Sequence, residues 1–392
     1  MVIQDFHFDE EALLGLLGRA RETAKHTSLD AFASRTERGD GLTPEDVATL
    51  WCANVDCAAM YQAALNARRV HPVRLETFSP LYMTNTCDAE CRMCGMRRDN
   101  KALTRETAEI PAVVEQLRLL NQRGMHAVAL LTGEYRPANR PWAMRYVNQA
   151  LQATQQLRFN HVLINVGSID DDEFATLLAG VPRHADGSVV PKLTMSTFQE
   201  TYSLRLYAKF MGTDPENPRA DFHRRLRNFD RAYRAGLRIA NPGILVGLNP
   251  DIAYELTALV LHAQHLTGLG MEVYLSVPRL RKIAGSGSQR GISDEDFIRM
   301  VALLSLALPT CKIVITTREN AAIQQQLAPI VTVISAGSAA VTPYTEQGAR
   351  FPLETSQFEV IDQRPFEDIL REHQQPGQAS ILNFEPPVMT VQ

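Results

Sequence analysis

Cys87, Cys91 and Cys94 stand in the stretch NTCDAECRMCGMRRDN at the spacing C-x3-C-x2-C, and they are three of the six cysteines in the chain. Thiolates are soft ligands that suit iron–sulfur clusters and zinc. Three of them on one short loop can hold three irons of a [4Fe-4S] cube, leaving the fourth iron open to another ligand. The same residues admit two other outcomes: a zinc site completed by a distant histidine, or three packed thiols that bind nothing. Structural zinc sites favour two C-x2-C pairs, and the chain has no second pair. A cluster is therefore the expected metal centre.

A loop that carries such a centre must be presented by a scaffold, and the rest of the chain supplies one. From Leu75 onward, short β-branched runs alternate with amphipathic stretches. The runs lie at 76–85, 127–134, 161–168, 192–200, 238–248, 272–280, 312–319 and 331–338. Between them apolar residues recur at helical spacing: Ile110, Val113, Val114 and Leu117; Ile252, Leu256, Leu259 and Ala263; Phe297, Met300, Val301 and Leu304. Alternation of this kind implies parallel strands joined by right-handed crossovers. Eight such units match a closed (β/α)8 TIM barrel, an α/β fold whose reactive groups sit on loops after the C-terminal ends of the strands. The cysteine loop follows the first run, so chemistry and topology point to one face.

Three regions are expected: a helical N-terminal extension over 1–72, the barrel over 73–338 and a C-terminal closing segment over 339–392. In the extension, Thr43-Pro44-Glu45 reads as the cap and first turn of a helix running through Trp51. In the closing segment, SQFEVIDQRPFEDILREHQQ suggests one strand and one helix. The segment AGSGSQRG, 284–291, reads as a mobile connection near the site, without the Gly-Lys-Ser/Thr ending of a phosphate loop.

The formal net charge of −4 argues against a broad surface for nucleic acid or anionic lipid. No apolar run is long enough for a membrane span, and the N-terminus is acidic where a signal peptide would be basic. The expectation is a cytoplasmic protein whose cysteines stay reduced.

CDAECRMC resembles the signature of the radical S-adenosylmethionine (radical SAM) superfamily. In that family SAM chelates the open iron, and one electron from the cluster releases a 5′-deoxyadenosyl radical. LLTGEY resembles the family's turn for the SAM amino group, which would assign Thr132, Gly133 and Glu134 to the cofactor. Met93 stands where the family often has an aromatic residue against adenine. FQETY, RADFHRRLRNFDRAYRAG, NPGILVGL and VITTRE are similar to stretches of the superfamily's aromatic amino acid lyases. Their wording is nearest to the tryptophan lyases that make 3-methyl-2-indolic acid, and more distant from the tyrosine lyases of thiazole and hydrogenase-cofactor assembly.

The resemblance implies that Glu200 contacts the SAM ribose and Arg225 the SAM carboxylate, with Leu245 and Gly247 also on the cofactor. It implies that Arg318 clamps the substrate carboxylate, that Ser335 adds a hydrogen bond there, and that Tyr82 faces the substrate. Planar guanidinium geometry suits such a clamp, although an ion pair with Glu319 is the competing role for Arg318. The implied reaction removes hydrogen from the amino group of a free aromatic amino acid. Tryptophan leads, with fragmentation between Cα and the carboxyl group. The alternatives are tyrosine, cleaved at Cα–Cβ to p-cresol and dehydroglycine, and a peptide or RNA substrate. A flavodoxin or ferredoxin would supply electrons.

Other features receive simpler explanations. Asp170-Asp171-Asp172-Glu173 suits a helix N-terminus, and His262 with His265 is expected on a solvated helix face. Of the basic run HRRLR only Arg225 is assigned a role, and Cys52, Cys57 and Cys311 read as packed thiols.

Overall fold

The computed structural model describes residues 3–70, 74–286, 291–337, 352–373 and 381–382. The middle of the 284–291 connection and much of the 339–392 segment lie outside the described residues.

Eight strands form where eight runs were expected: β1 (Leu75–Tyr82), β2 (Ala127–Leu131), β3 (His161–Asn165), β4 (Leu193–Ser196), β5 (Ile239–Asn241), β6 (Glu272–Ser276), β7 (Lys312–Ile315) and β8 (Val333–Ser335). Each pairs parallel with the next, and β1 pairs with both β2 and β8, which closes the barrel. A ninth strand, β9 (Ile381–Leu382), runs parallel to the first residues of β1. The strands are shorter than the runs because their final residues leave the ladder to form the functional mouth. The longest run, 238–248, keeps only three residues in β5. Beyond Pro242, which has no N–H to donate, the chain follows its neighbours through isolated bridges at Gly243–Ser276 and Val246–Arg279.

Helices flank the strands: α5 (Ile110–Gln122), α6 (Arg140–Gln156), α7 (Asp171–Leu177), α8 (Leu204–Met211), α9 (Phe222–Leu226), α10 (Asn228–Arg234), α11 (Ile252–Gly268), α12 (Asp294–Ala307), α13 (Ala321–Leu327) and α14 (Phe366–His373). Preceding the barrel are α1 (Glu10–Ala24), α2 (Ala33–Arg38), α3 (Pro44–Cys52) and α4 (Cys57–Val70). Thr43 and Asp46 form a capping box at the start of α3, so two otherwise unpaired N–H groups are satisfied. Helix α3 packs on α11, and α4 on α12. No strand forms over 356–365; α14 alone fulfils that part of the expectation. No helix among the described residues is long and apolar enough to cross a membrane.

Inside the barrel, Phe78, Ala129, Leu163, Ile239, Val314 and Val333 belong to one apolar cluster. One turn of the pleat towards the N-terminal ends, the filling becomes ionic. Lys312 pairs with Glu76 and, at 2.5 Å, with Glu272, and the Tyr274 hydroxyl donates to Glu76 at 2.7 Å. These layers fill the base of the barrel below the C-terminal mouth.

The histidines of α11 are not on a solvated face. His262 is fully buried and stacks on Phe6, with ring centroids 4.4 Å apart, while His265 bonds to Asp230 at 2.7 Å. The arm preceding α1 covers that face of α11, and nothing in the local helical pattern announces a partner more than two hundred residues away.

Candidate active site

The mouth holds a cavity open to solvent. Cys87, Cys91 and Cys94 line it from the loop after β1, and Arg318 and Ser335 line it from the ends of β7 and β8. Such a concave site at the C-terminal face is where barrel chemistry is carried.

The cysteine loop is held by its neighbours. The Glu134 N–H points to Cys87 Sγ at 3.3 Å and the Gln357 side-chain amide to Cys94 Sγ at 3.5 Å. Gly133 permits this approach, because a Cβ there would lie 2.1 Å from the Thr86 carbonyl oxygen and 2.7 Å from Cys87 Cα. Burial, followed by the neighbouring Cys94 thiolate, pushes the Cys87 thiol up to about 12. Cys91 and Cys94 are also raised, first by burial. Three such thiols ionise together only beside a compensating positive charge. Among the described residues no three His, Cys, Asp or Glu side chains converge on one ion.

Beside the thiols lies a ladder of opposite charges. Arg225 Nη1 donates to Glu134 Oε2 at 3.0 Å, and its Nε to the Phe198 carbonyl at 2.9 Å. The Ser168 N–H donates to Glu134 Oε1 at 2.9 Å. Burial opposes ionisation of Glu134, but Arg225, Arg219 and this N–H outweigh it and hold the carboxyl below its ordinary range. Arg219 lies 3.5 Å from Glu134 and 3.4 Å from Glu200. Arg219 stands in the RADFHRRLRNFDRAYRAG stretch with nothing local to mark it; only the fold brings it between two carboxylates.

Glu200 has φ +69°, a left-handed conformation unusual for a non-glycine residue. The following residues explain how it is held. Thr201 Oγ1 and the Tyr202 N–H donate to the two oxygens of Glu255 at 2.5 and 2.9 Å, and Asn249 Nδ2 donates to it at 2.7 Å. The Leu245 N–H donates to the Glu200 carbonyl at 2.9 Å, and Gly247 takes φ +100° in the same crossing. Leu245, Gly247 and Met93 lie outside the cavity lining, whereas Met96 and Thr132 belong to it. Met93 is packed into the main core.

On the far wall the expected competitor for Arg318 is absent. Glu319 is engaged by Arg279 and by Arg281, the latter at 3.0 Å. Arg318 donates to the Arg279 carbonyl at 3.1 Å, and its guanidinium lies over the Phe358 ring, 3.5 Å from the centroid. No carboxylate among the described residues pairs with it. The buried Ser335 hydroxyl likewise has no hydrogen-bond partner among the described residues. Tyr82 donates to Gln357 Oε1 at 2.8 Å, so its hydroxyl already has an acceptor while its ring lines the cavity. Gln357 and Phe358 come from the closing segment, and nothing in their local sequence signals the site.

The remaining side chains agree with simpler roles. Asp170 and Glu173 form a capping box for α7, Arg224 pairs with Asp170 at 2.9 Å, and Cys311 is buried.

Residues 276–378 match the Biotin and Thiamin Synthesis associated domain. The 2-iminoacetate synthase of Escherichia coli (strain K12) is 25% identical over 310 residues, covering 76% of each chain. A 2-iminoacetate synthase of Salmonella typhimurium is 24% identical over 260 residues, covering 64% of this chain and 63% of its own. Among solved structures, HydG, a maturase of the [FeFe]-hydrogenase, superposes with a TM-score of 0.78 at 26% identity, covering 94% of this chain and 79% of its own. These relatives favour the alternative drawn from the sequence, Cα–Cβ cleavage, over the tryptophan chemistry placed first.

Proposed function

We propose that this chain, which belongs to the radical SAM superfamily and uses a [4Fe-4S] cluster and S-adenosyl-L-methionine, is a carbon–carbon lyase that breaks the Cα–Cβ bond of free L-tyrosine. The products are p-cresol and 2-iminoacetate. One arrangement carries the proposal: three thiols on one wall of a cavity, with an arginine that has no carboxylate partner and a serine hydroxyl that has no hydrogen-bond partner among the described residues on another. When bound, the cluster and SAM supply a carbon-centred radical that takes a hydrogen atom.

In this proposal Cys87, Cys91 and Cys94 ligate the cluster. Arg225, Glu134, Arg219 and Glu200 alternate in charge and so complement the ammonium and carboxylate of SAM. Arg318 and Ser335 take the substrate carboxylate, and Tyr82 and Gln357 wall the space between substrate and thiols. The protein's contribution is then mainly positional, because a fixed carboxylate fixes the amine beside it.

The chemistry of the product supports cleavage at Cα–Cβ over loss of the carboxyl fragment. 2-Iminoacetate, the product named for two relatives, consists of the amine, Cα and carboxylate of an amino acid without its side chain. A clamp on the carboxylate retains that fragment while the aromatic fragment departs. Reconstituted enzyme with SAM and reductant should form p-cresol from tyrosine. Formation of 3-methylindole-2-carboxylate from tryptophan, with no p-cresol from tyrosine, would refute the assignment.

A further inference from the structure

The floor of the cavity is divided by chemistry. Phe78, Ala129 and Leu163, from β1, β2 and β3, present apolar surface, whereas Asn165, at the end of β3, and Ser196, Asn241 and Ser276, from β4, β5 and β6, present polar atoms. Ser196 and Asn241 are register partners across β4 and β5. Asn241 Nδ2 donates to Ser196 Oγ at 3.2 Å, and Ser276 Oγ donates to Asn241 Oδ1 at 2.9 Å. All three residues are buried. The strand ends of a barrel core are usually filled by branched apolar side chains, and buried polar atoms are costly unless matched.

The two internal bonds do not exhaust the triad. The Asn241 amide keeps a second N–H and a second lone pair, Ser196 keeps its hydroxyl proton, and Ser276 keeps acceptor capacity. The surplus therefore contains both donors and acceptors. A hydroxyl group, which donates and accepts at once, matches it; an indole N–H can only donate, and a bare phenyl ring does neither.

Position completes the argument. In the closed order β1 to β8, β4 stands four strands from β8, whereas β6, which carries Ser276, pairs directly with β7, beyond whose end Arg318 stands. An amino acid held by its carboxylate at Arg318 and Ser335 would extend its side chain across the apolar floor towards Ser196 and Asn241.

We infer that Ser196, Asn241 and Ser276 form a specificity site that reads a hydroxyl at the far end of the substrate side chain. The inference rests on the proposed lyase function and deepens it, selecting phenolic over unsubstituted aromatic amino acids. Asn241 is its centre, because it joins the other two.

The test is equilibrium binding to the holoenzyme with SAM present and the cluster left oxidised, so that no turnover occurs. L-Tyrosine should bind about 10- to 100-fold more tightly than L-phenylalanine, as one or two hydrogen bonds to buried neutral groups allow. Asn241→Leu should bring the ratio close to one by weakening tyrosine alone. Ser196→Ala and Ser276→Ala, smaller changes that cover the case of a misfolded Asn241 variant, should each narrow it in part. Arg318→Ala should weaken both ligands equally. If tyrosine and phenylalanine keep the wild-type ratio in Asn241→Leu or in both serine variants, the triad is structural and the inference fails while the lyase assignment stands. If SAM binds the wild-type protein and tyrosine does not, that assignment fails and takes the inference with it.

Discussion

Arg318 and Glu319, adjacent in the chain, have separate partners: Glu319 is enclosed by Arg279 and Arg281, while the Arg318 guanidinium lies over the Phe358 ring, 3.5 Å from its centroid. The neighbouring arginines thus remove the carboxylate that would otherwise neutralise Arg318, and Phe358 supports it without consuming its charge. Arg318→Ala should lower kcat/KM by about 10²- to 10³-fold, the scale of losing a buried charge partner, and leave iron content unchanged. Arg318→Lys should recover only part of the loss, because a point charge cannot donate bidentately. Steady-state kinetics with iron analysis checks both.

The three loop thiols are distinguished from the others by where they face. Replacing Cys87, Cys91 or Cys94 by alanine should abolish retention of iron and sulfide after anaerobic reconstitution. Cys52→Ala and Cys57→Ala, at half-buried positions remote from the cavity, should leave iron and sulfide at wild-type levels. Visible absorbance and metal analysis read the difference.

Gly133 tests the packing behind the cysteine loop. Gly133→Ala forces a Cβ to within 2.1 Å of the Thr86 carbonyl, so backbone must move. We expect a stability loss of about 1–3 kcal/mol in denaturant titration and weaker cluster retention, because the atoms displaced belong to Thr86 and Cys87.

Glu255 gives the protein a pH dependence of known sign. Burial raises its carboxyl to about 7, above its ordinary value of 4.5. The folded state therefore holds a proton that the unfolded state releases between these values. The resulting stabilisation is full below about 4.5 and is lost as pH rises through 7. The effect is on the order of 3 kcal/mol. Melting temperature should fall from pH 6 to pH 8.5, and Glu255→Gln should flatten that slope.

Much of the fold was legible because it is written locally. Eight β-branched runs alternating with helical periodicity specify a closed parallel barrel, and the loop after each strand is where reactive groups belong. The C-x3-C-x2-C loop, Glu134, Glu200, Arg225, Arg318 and Ser335 could be singled out because each stands in a family-like motif or at a strand end, and the fold places all of them on one cavity. What stayed hidden depends on chain crossings that no local pattern records. Arg219 acquires meaning only between Glu134 and Glu200, and Gln357 only beside Tyr82 and Cys94. Asn241 stands in a quoted motif, yet its bonds to Ser196 and Ser276 join strands that are distant in sequence. His262 looked solvated on its own helix because Phe6, which covers it, comes from the far end of the chain.

The bond that breaks is the most direct measure of the account. Tyrosine carrying ¹³C at both Cα and Cβ, turned over by the holoenzyme with SAM and reductant, should yield singly labelled p-cresol and singly labelled 2-iminoacetate, the latter recovered as glyoxylate. Both labels in one aromatic product would mean that the Cα–Cβ bond survives, and would contradict it.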